Sequence, residues 1–317
     1  MPRKSGPAGN LRLEAVELTG CVLCGSDKTS SASVPTWDSA ELRQWRENKL
    51  GSQWAFCDEC GALFQQTRPA DGCLESFYQA SLYRTQGETV EIHEGWWNYS
   101  RWQFERFVPW LDLCGVKIHR ASQGRVLDYG CGIGGALWQF QKRGWECFGL
   151  EIDETLAAFA SEYHRLKMVR KPGEILTGKF DLIFAHHVYE HLARPNDLLD
   201  FAQRALLPHG ALVLVTPSWR FGNTRRIFEA FSLMDTVLVD HACLARQAVA
   251  RGLRVIAVLY QNTAPGTDWE VAMVFQPGES EPLPSPAGRE EMERTLEMLR
   301  NTPEDDQVMR RIGLLPR

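Results

Sequence analysis

The sequence predicts an α/β fold: a doubly wound sheet of mostly parallel strands, preceded by a small cysteine-bearing domain. Two observations carry the sheet. Val126 and Leu127 read as a buried strand, Gly130, Gly132, Gly134 and Gly135 as a turn, and the spacing of Leu137, Phe140 and Trp145 as the helix after it. Apolar runs of strand length follow at 147–150, 180–185 and 211–217, separated by helical patterning, as in parallel strands joined by helices. The small domain rests on Cys21, Cys24, Cys57 and Cys60, which form two C-x-x-C-G units.

At 317 residues the chain is long enough for one full α/β domain and a smaller one. Apolar content of 44% and charged content of 24% are ordinary for a globular protein. The formal charge of −5 argues against a nucleic-acid partner, because phosphate contacts need a basic face. No apolar run approaches the roughly 20 residues that span a bilayer, and the first residues lack the apolar centre of a signal peptide. The expectation is a cytoplasmic protein without membrane contact. Nine cysteines, an odd number with four at metal-ligand spacing, agree with that compartment.

Residues 1–18 are polar and read as a disordered or extended tail. Residues 19–86 read as a zinc-ribbon-like domain, in which two knuckles, each closing on a glycine, place four thiolates around one structural zinc. The alternative is a redox pair or free thiols. The 32 residues between Cys24 and Cys57 leave room for a short helix at 40–48. Residues 62–69 read as one strand ending at Pro69, followed by Phe77-Tyr78 and Leu82-Tyr83-Arg84. Residues 87–120 read as an aromatic connecting helix and lid. There Trp96, Tyr99, Trp102 and Phe107 either pack as core, docking the small domain on the large one, or stack on a ligand ring.

Residues 121–276 carry the chemistry. A glycine turn lets a ligand approach the backbone, and the following helix offers its positive end, so a nucleotide site is the first reading. A dinucleotide fingerprint has no acid before its first glycine. Asp128 stands there, where it repels a pyrophosphate and suits a ligand carrying an ammonium group. A glycine-rich turn with no ligand is the structural alternative. The run Val126-Leu127-Asp128-Tyr129-Gly130-Cys131-Gly132-Ile133-Gly134 resembles motif I of the class I S-adenosylmethionine (SAM) methyltransferases, V-L-D-x-G-C-G-x-G. The resemblance implies a seven-stranded Rossmann-like SAM-binding sheet with the glycines under the amino-acid and ribose parts of SAM. The implied cofactor contacts are Asp128, Gly130, Cys131, Gly132, Gly134, Glu151, Ile152 and His186.

Glu151 ends the second strand, where an acid accepts from both ribose hydroxyls, and Asp153 reads as the N-cap of helix 154–163. After 166–169, only Glu174 is an acidic candidate for the adenine, a departure from the family pattern. The fourth strand runs into His186-His187-Val188-Tyr189-Glu190-His191-Leu192. Ligands in open α/β sheets lie outside the carboxyl ends of the strands, which puts these side chains beside the SAM methyl group. Methyl transfer is an in-line displacement that requires loss of a proton from a hydroxyl or carbon acid. His187 is the first candidate base and His186 the second, with Tyr189 or Glu190 orienting the acceptor. The structural alternative has Glu190 capping a helix and His191 packed beneath it. His187 to His191 also spells H-x-x-E-H, but a zinc peptidase needs that string in mid-helix, not directly after a strand.

Residues 206–210 read as a turn before strand 211–217, and 218–235 as an insertion with Arg220, Arg225 and Arg226. Asp240-His241 precedes a helix, 254–260 and 269–275 form a last antiparallel pair, and 277–317 form a peripheral tail with a helix at 289–299. The order of knuckle, strand, Arg68-Pro69, helix, Phe77-Tyr78 and Leu82-Tyr83 resembles the zinc-ribbon-bearing methyltransferases of bacterial saccharide and natural-product pathways, deoxysugar C-methyltransferases among them. It covers about residues 20–275 and does not include the extra C-terminal domain of the sugar C-methyltransferases, so O- and C-methylation both stay open. The implied activity is SAM-dependent methylation of a small hydroxylated acceptor, a saccharide or nucleotide-linked sugar, in polysaccharide or natural-product biosynthesis. One alternative is metal-assisted O-methylation of RNA or another vicinal-hydroxyl substrate. Small-RNA ribose methyltransferases hold a divalent ion with E-x-x-E-H and a distant histidine, matched here by His187, Glu190, His191 and His241. Another is a binding module that keeps the fold without catalysis.

Overall fold

A computed structural model of the chain describes residues 14–33, 53–79, 90–116, 118, 124–169, 180–219, 235–262, 268–280, 290 and 293. The expected helix at 40–48, Leu82-Tyr83-Arg84, Glu174, the three insertion arginines and nearly all of the 289–299 helix lie outside them.

The large sheet has seven strands. These are β6 (Arg125–Tyr129), β7 (Glu146–Leu150), β8 (Lys167–Val169), β9 (Phe180–His186), β10 (Leu206–Pro217), β12 (Leu253–Asn262) and β13 (Asp268–Pro277), in the order β12-β13-β10-β9-β6-β7-β8. The pairs from β8 through β10 are parallel, and β13 is antiparallel to both β10 and β12. The chain leaves β6 toward β7 and β8 and returns on the other side through β9 and β10, so the strand order reverses between β6 and β9. Such a switch point leaves a crevice at the carboxyl ends of the two strands.

Strand residues alternate between two apolar cores. Leu127, Ile183, Ala185, Leu212, Leu214 and Met273 face one, with α5 (Asn196–Ala205) and α6 (His241–Val249) packed on it. Val126, Leu182, Phe184, Val213, Val215 and Val274 face the other, beneath α2 (Val90–Leu113) and α3 (Gly135–Lys142). Asp153 caps α4 (Glu154–His164) as expected, its carboxylate accepting from the N–H groups of Thr155 and Leu156.

The ribbon is an antiparallel meander of β2 (Thr29–Ala32), β3 (Trp54–Cys57) and β4 (Leu63–Gln65), followed by α1 (Asp71–Gln79). Its fourth strand, β11 (Val237–Leu238), comes from the segment between β10 and α6 and pairs with β4. Ribbon residues Leu23, Ala55, Cys57 and Phe64 share one core with Leu198, Val239 and Leu244.

Three expectations need correction. The 62–69 run is two strands, because β5 (Thr67–Pro69) turns away at Gln66 to pair with β1 (Ala15–Glu17) in a separate sheet. Of the tail expected at 1–18 to be disordered or extended, residues 14–18 are described, and 15–17 are the extended β1. Residues 206–210 belong to β10, with a register shift between Leu206 and Ala211 rather than a free turn. The aromatic helix buries Phe104, Phe107, Val108 and Leu111 in the second core, not against the ribbon, which docks directly on the first. Trp96 and Trp102 are about half exposed.

Candidate active site

Two groups of side chains meet at the crevice. On the β6 side, the glycine turn occupies the left-handed region at Gly130, Gly132 and Gly134, with φ of 74°, 54° and 83°. Four of its N–H groups are engaged within the protein. Those of Gly130 and Cys131 donate to the Leu150 carbonyl at 2.7 and 3.1 Å, that of Gly134 donates to the Cys131 carbonyl at 2.9 Å, and that of Gly132 donates to Glu151 Oε2 at 2.8 Å. Three of these donors fasten β6 to the end of β7, so the N–H groups of Gly130, Cys131 and Gly132 are spent on the protein itself. A Cβ on Gly134 would strike Leu166, whereas one on Gly132 meets nothing nearer than Leu156 at 4.0 Å, so the open face lies over Gly132.

The polar groups offered there are carboxylates. Asp128 is buried, and burial, reinforced by the charge of Glu151, pushes its pKa up to about 8. Glu151 accepts from Gly132 and, through Oε1, from the Asp153 N–H at 2.8 Å. Burial holds its pKa above the usual carboxylate range despite those two bonds. The Cys131 side chain is buried with Sγ turned to the Gly132 carbonyl, and Ile152 is half-buried after Glu151. A buried carboxylate with a raised pKa favours a cationic ligand and disfavours a phosphate.

On the β9 side the chain makes a sharp exit. His187 adopts φ of 54°, rare for a residue with a Cβ, and its N–H donates to the Val215 carbonyl. The single 3-10 turn Tyr189–His191 follows. His187 Nε2 lies 2.9 Å from Glu270 Oε1 and its Nδ1 3.8 Å from Glu190 Oε1. Burial pulls the His187 pKa down, but the Glu270 hydrogen bond and the charges of Glu270 and Glu190 outweigh it and leave it above the ordinary value. His191 makes a second such pair, with Nδ1 3.1 Å from Asp235 Oδ1 and Nε2 3.9 Å from Glu190 Oε1. Its ring lies 5.7 Å from that of Tyr78 on α1. Glu190 is fully buried between the two histidines. Its Oε2 accepts from the Thr216 hydroxyl at 2.9 Å, and Oε1 has no hydrogen bond. His186 stacks on His187 at 4.4 Å and 11° and touches Phe107 edge-on.

Tyr189 does not join this group. It is buried in the first core with its hydroxyl donating to Asn196 Oδ1 at 3.1 Å, which corrects the expectation that it orients an acceptor. His241 opens α6 and belongs to neither of the two His/acid groups of metal-ligating size among the described residues, so the set His187, Glu190, His191 and His241 is not assembled. One of those groups, His186, His187 and Glu270, includes two nearly parallel rings, and parallel rings do not aim their nitrogens at one ion.

The four knuckle thiols come together. Cys21 and Cys60 sulfurs are 3.6 Å apart, as are those of Cys24 and Cys57, and all four lie within 4.8 Å of one another. A tetrahedral site with Zn–S of about 2.3 Å has sulfurs about 3.8 Å apart, so the donor set fits zinc. The Leu23 N–H donates to Cys21 Sγ at 3.4 Å, and Gly25 and Gly61 close their turns at φ of 73° and 79°.

Residues 99–258, half of the chain, match the family described as a methyltransferase domain. The chain belongs to this family. Over 132 residues the methyltransferase is 29% identical to the chloroplastic tocopherol O-methyltransferase of Arabidopsis thaliana, an alignment that spans 38% of this chain and only 37% of that protein. Among solved structures it is similar to magnesium protoporphyrin IX methyltransferase of Synechocystis PCC 6803, determined with bound SAH, at 12% identity and TM-score 0.48, covering 66% of this chain and 100% of that one. It is also similar to an S-adenosylmethionine-dependent methyltransferase of Mesorhizobium loti, at 13% identity and TM-score 0.42, covering 49% and 91%. SAM is the cofactor of this enzyme family, and it supplies an electrophilic methyl group on a sulfonium.

Sequence reasoning missed Glu270 and Asp235. The signal for Glu270 was present: one acid inside the apolar run Val271-Ala272-Met273-Val274-Phe275 and its approach. Such a residue is either at an edge or paired in the interior.

Proposed function

We propose that this methyltransferase transfers the methyl group of SAM to a hydroxyl of a small acceptor, a saccharide or nucleotide-linked sugar. The observation that carries this reading is the pairing, across one switch point, of a buried carboxylate floor with two histidine–carboxylate pairs. Asp128 would hold the ammonium group of SAM, and Glu151 would accept from its ribose hydroxyls. His191 takes the acceptor proton at Nε2, since Asp235 holds its Nδ1–H, as a carboxylate does for a general-base imidazole. This role passes to His191 from His187, the first sequence candidate, because Glu270 engages His187 Nε2 at 2.9 Å, whereas the carboxylate oxygen of Glu190 lies 3.9 Å from His191 Nε2. SAM would supply the methyl group to the acceptor oxygen, its sulfur leaving as a neutral thioether, and His191 would hold the proton given up by the acceptor hydroxyl.

An oxygen nucleophile also agrees with the O-methylation for which the tocopherol relative is named. The saccharide reading rests on the order of ribbon, Arg68-Pro69, helix and Phe77-Tyr78, which brings the Tyr78 ring beside His191, where it is placed to stack on a sugar face. A zinc ion held by Cys21, Cys24, Cys57 and Cys60 would be structural, since four protein thiolates would close its coordination. Incubation with methyl-labelled SAM and separate panels of nucleotide-linked sugars, phenols, amines and RNA tests the acceptor class. Label in the sugar panel is expected, and label only in RNA or only in amines contradicts the reading.

A further inference from the structure

The acceptor half of the site is built on the ribbon, and the SAM half is not. From the second knuckle the chain passes directly into β4, which ends at Gln65. The Gln65 side chain is fully buried and lies against the strand that precedes α6. Its Nε2 donates to the Asp235 carbonyl at 2.7 Å, and its backbone N–H donates to the Thr236 carbonyl at 3.0 Å, so the peptide that follows the His191 partner and the next one are tied to the ribbon edge. Thr236 passes the connection on. Its N–H donates to the Glu190 carbonyl at 2.6 Å, and its hydroxyl lies 3.0 Å from that carbonyl and 2.7 Å from the carbonyl of Leu192. His191 is thereby gripped on both sides, at the Glu190 and Leu192 carbonyls, by one residue.

A second line starts at the first knuckle. The Leu23 carbonyl, between Cys21 and Cys24, accepts from Asn196 Nδ2 at 2.8 Å, and Asn196 Oδ1 accepts from the Tyr189 hydroxyl at the start of the same turn. The Trp219 indole, just beyond β10, donates to the Gly61 carbonyl beside Cys60 at 3.2 Å. By contrast, the bonds of the glycine turn run to Leu150, Cys131 and Glu151. Buried hydrogen bonds of this kind fix orientation because their loss leaves unsatisfied groups.

We propose that Gln65 and Thr236 are positioning residues for His191, through which the zinc-loaded ribbon sets the acceptor half of the site while leaving the SAM half independent. This rests on the reading of His191 as the proton acceptor. The geometry requires His191 to carry its proton on Nδ1, toward Asp235, and the hold of Gln65 and Thr236 on the 235–236 peptides keeps that partner in line.

The test uses the full chain labelled with 15N-histidine, because long-range 15N–1H spectra report the tautomer of each of the eight histidines; the His191 signal is assigned by its absence in His191→Gln. The parent is expected to show His191 as a single Nδ1–H tautomer. Thr236→Val, which keeps the shape and removes the hydroxyl, and Gln65→Met, which removes the amide, are expected to give a tautomer mixture, as is removal of zinc by a chelator. Thr236→Ser is expected to restore the single tautomer. In every case SAM affinity by calorimetry should stay within about twofold of the parent, as for sites that do not couple. An unchanged His191 tautomer in both Thr236→Val and Gln65→Met overturns the proposal, and so does a loss of SAM affinity that accompanies the tautomer change. A parent that binds no SAM contradicts the cofactor assignment instead, and the histidine spectra still decide the positioning claim.

Discussion

At the scale of the residue, the cofactor half of the site turns on the burial of Asp128. With the chain folded and no cation beside it, Asp128 keeps its proton up to about pH 8, against about 4 in an unfolded chain. Folded protein thus binds more protons than unfolded protein between those values, and the contribution of Asp128 to stability declines as pH rises through that window. A cationic ligand reverses the preference and expels the proton. SAM binding at pH 7 should therefore release about one proton per site, read as a buffer-dependent heat in calorimetry. Equal heats in buffers of different ionisation enthalpy contradict this. Asp128 and Glu151 were legible in the sequence because one precedes a glycine turn and the other ends the next strand. The histidine partners were not: Glu270 meets His187 across 83 residues, through a strand register that no local pattern reveals. Asp235 follows an insertion whose path the sequence does not fix.

The elements show where local patterning was enough and where tertiary structure decided. The glycine turn was recognised by its spacing, yet its donors fasten β6 to β7, so its glycines have separate duties. At Gly132 the left-handed backbone faces open space, while at Gly134 it faces Leu166. Gly132→Ala should cost about 1 kcal/mol of folding stability and weaken SAM binding more than tenfold by filling the floor of the site. Gly134→Ala should cost about 2–4 kcal/mol through both strain and overpacking. Thermal unfolding and SAM calorimetry on the two variants distinguish them, and equal losses of stability contradict the assignment. The break at Gln66 was hidden because 62–69 has unbroken strand character. What divides it is the competition of two sheets for its ends, β11 on one side and β1 on the other.

For the whole molecule, the alternation of apolar residues along β6, β9, β10 and β13 made the two-faced sheet legible, and the two C-x-x-C-G units announced the ribbon. The expected domain boundaries at 86 and 121 lie outside the described residues. The ribbon takes β11 from beyond β10 and shares a continuous core with α5 and α6, so the two parts fold as neighbours that complete each other. Among the described residues, no helix is long and apolar enough to cross a bilayer. The most direct measurement of the central claim is titration of SAM into the full chain by calorimetry. The predicted result is one site of affinity on the order of micromolar, lost in both Asp128→Ala and Glu151→Ala. Absence of binding by the parent, or binding by the two variants equal to that of the parent, would contradict it.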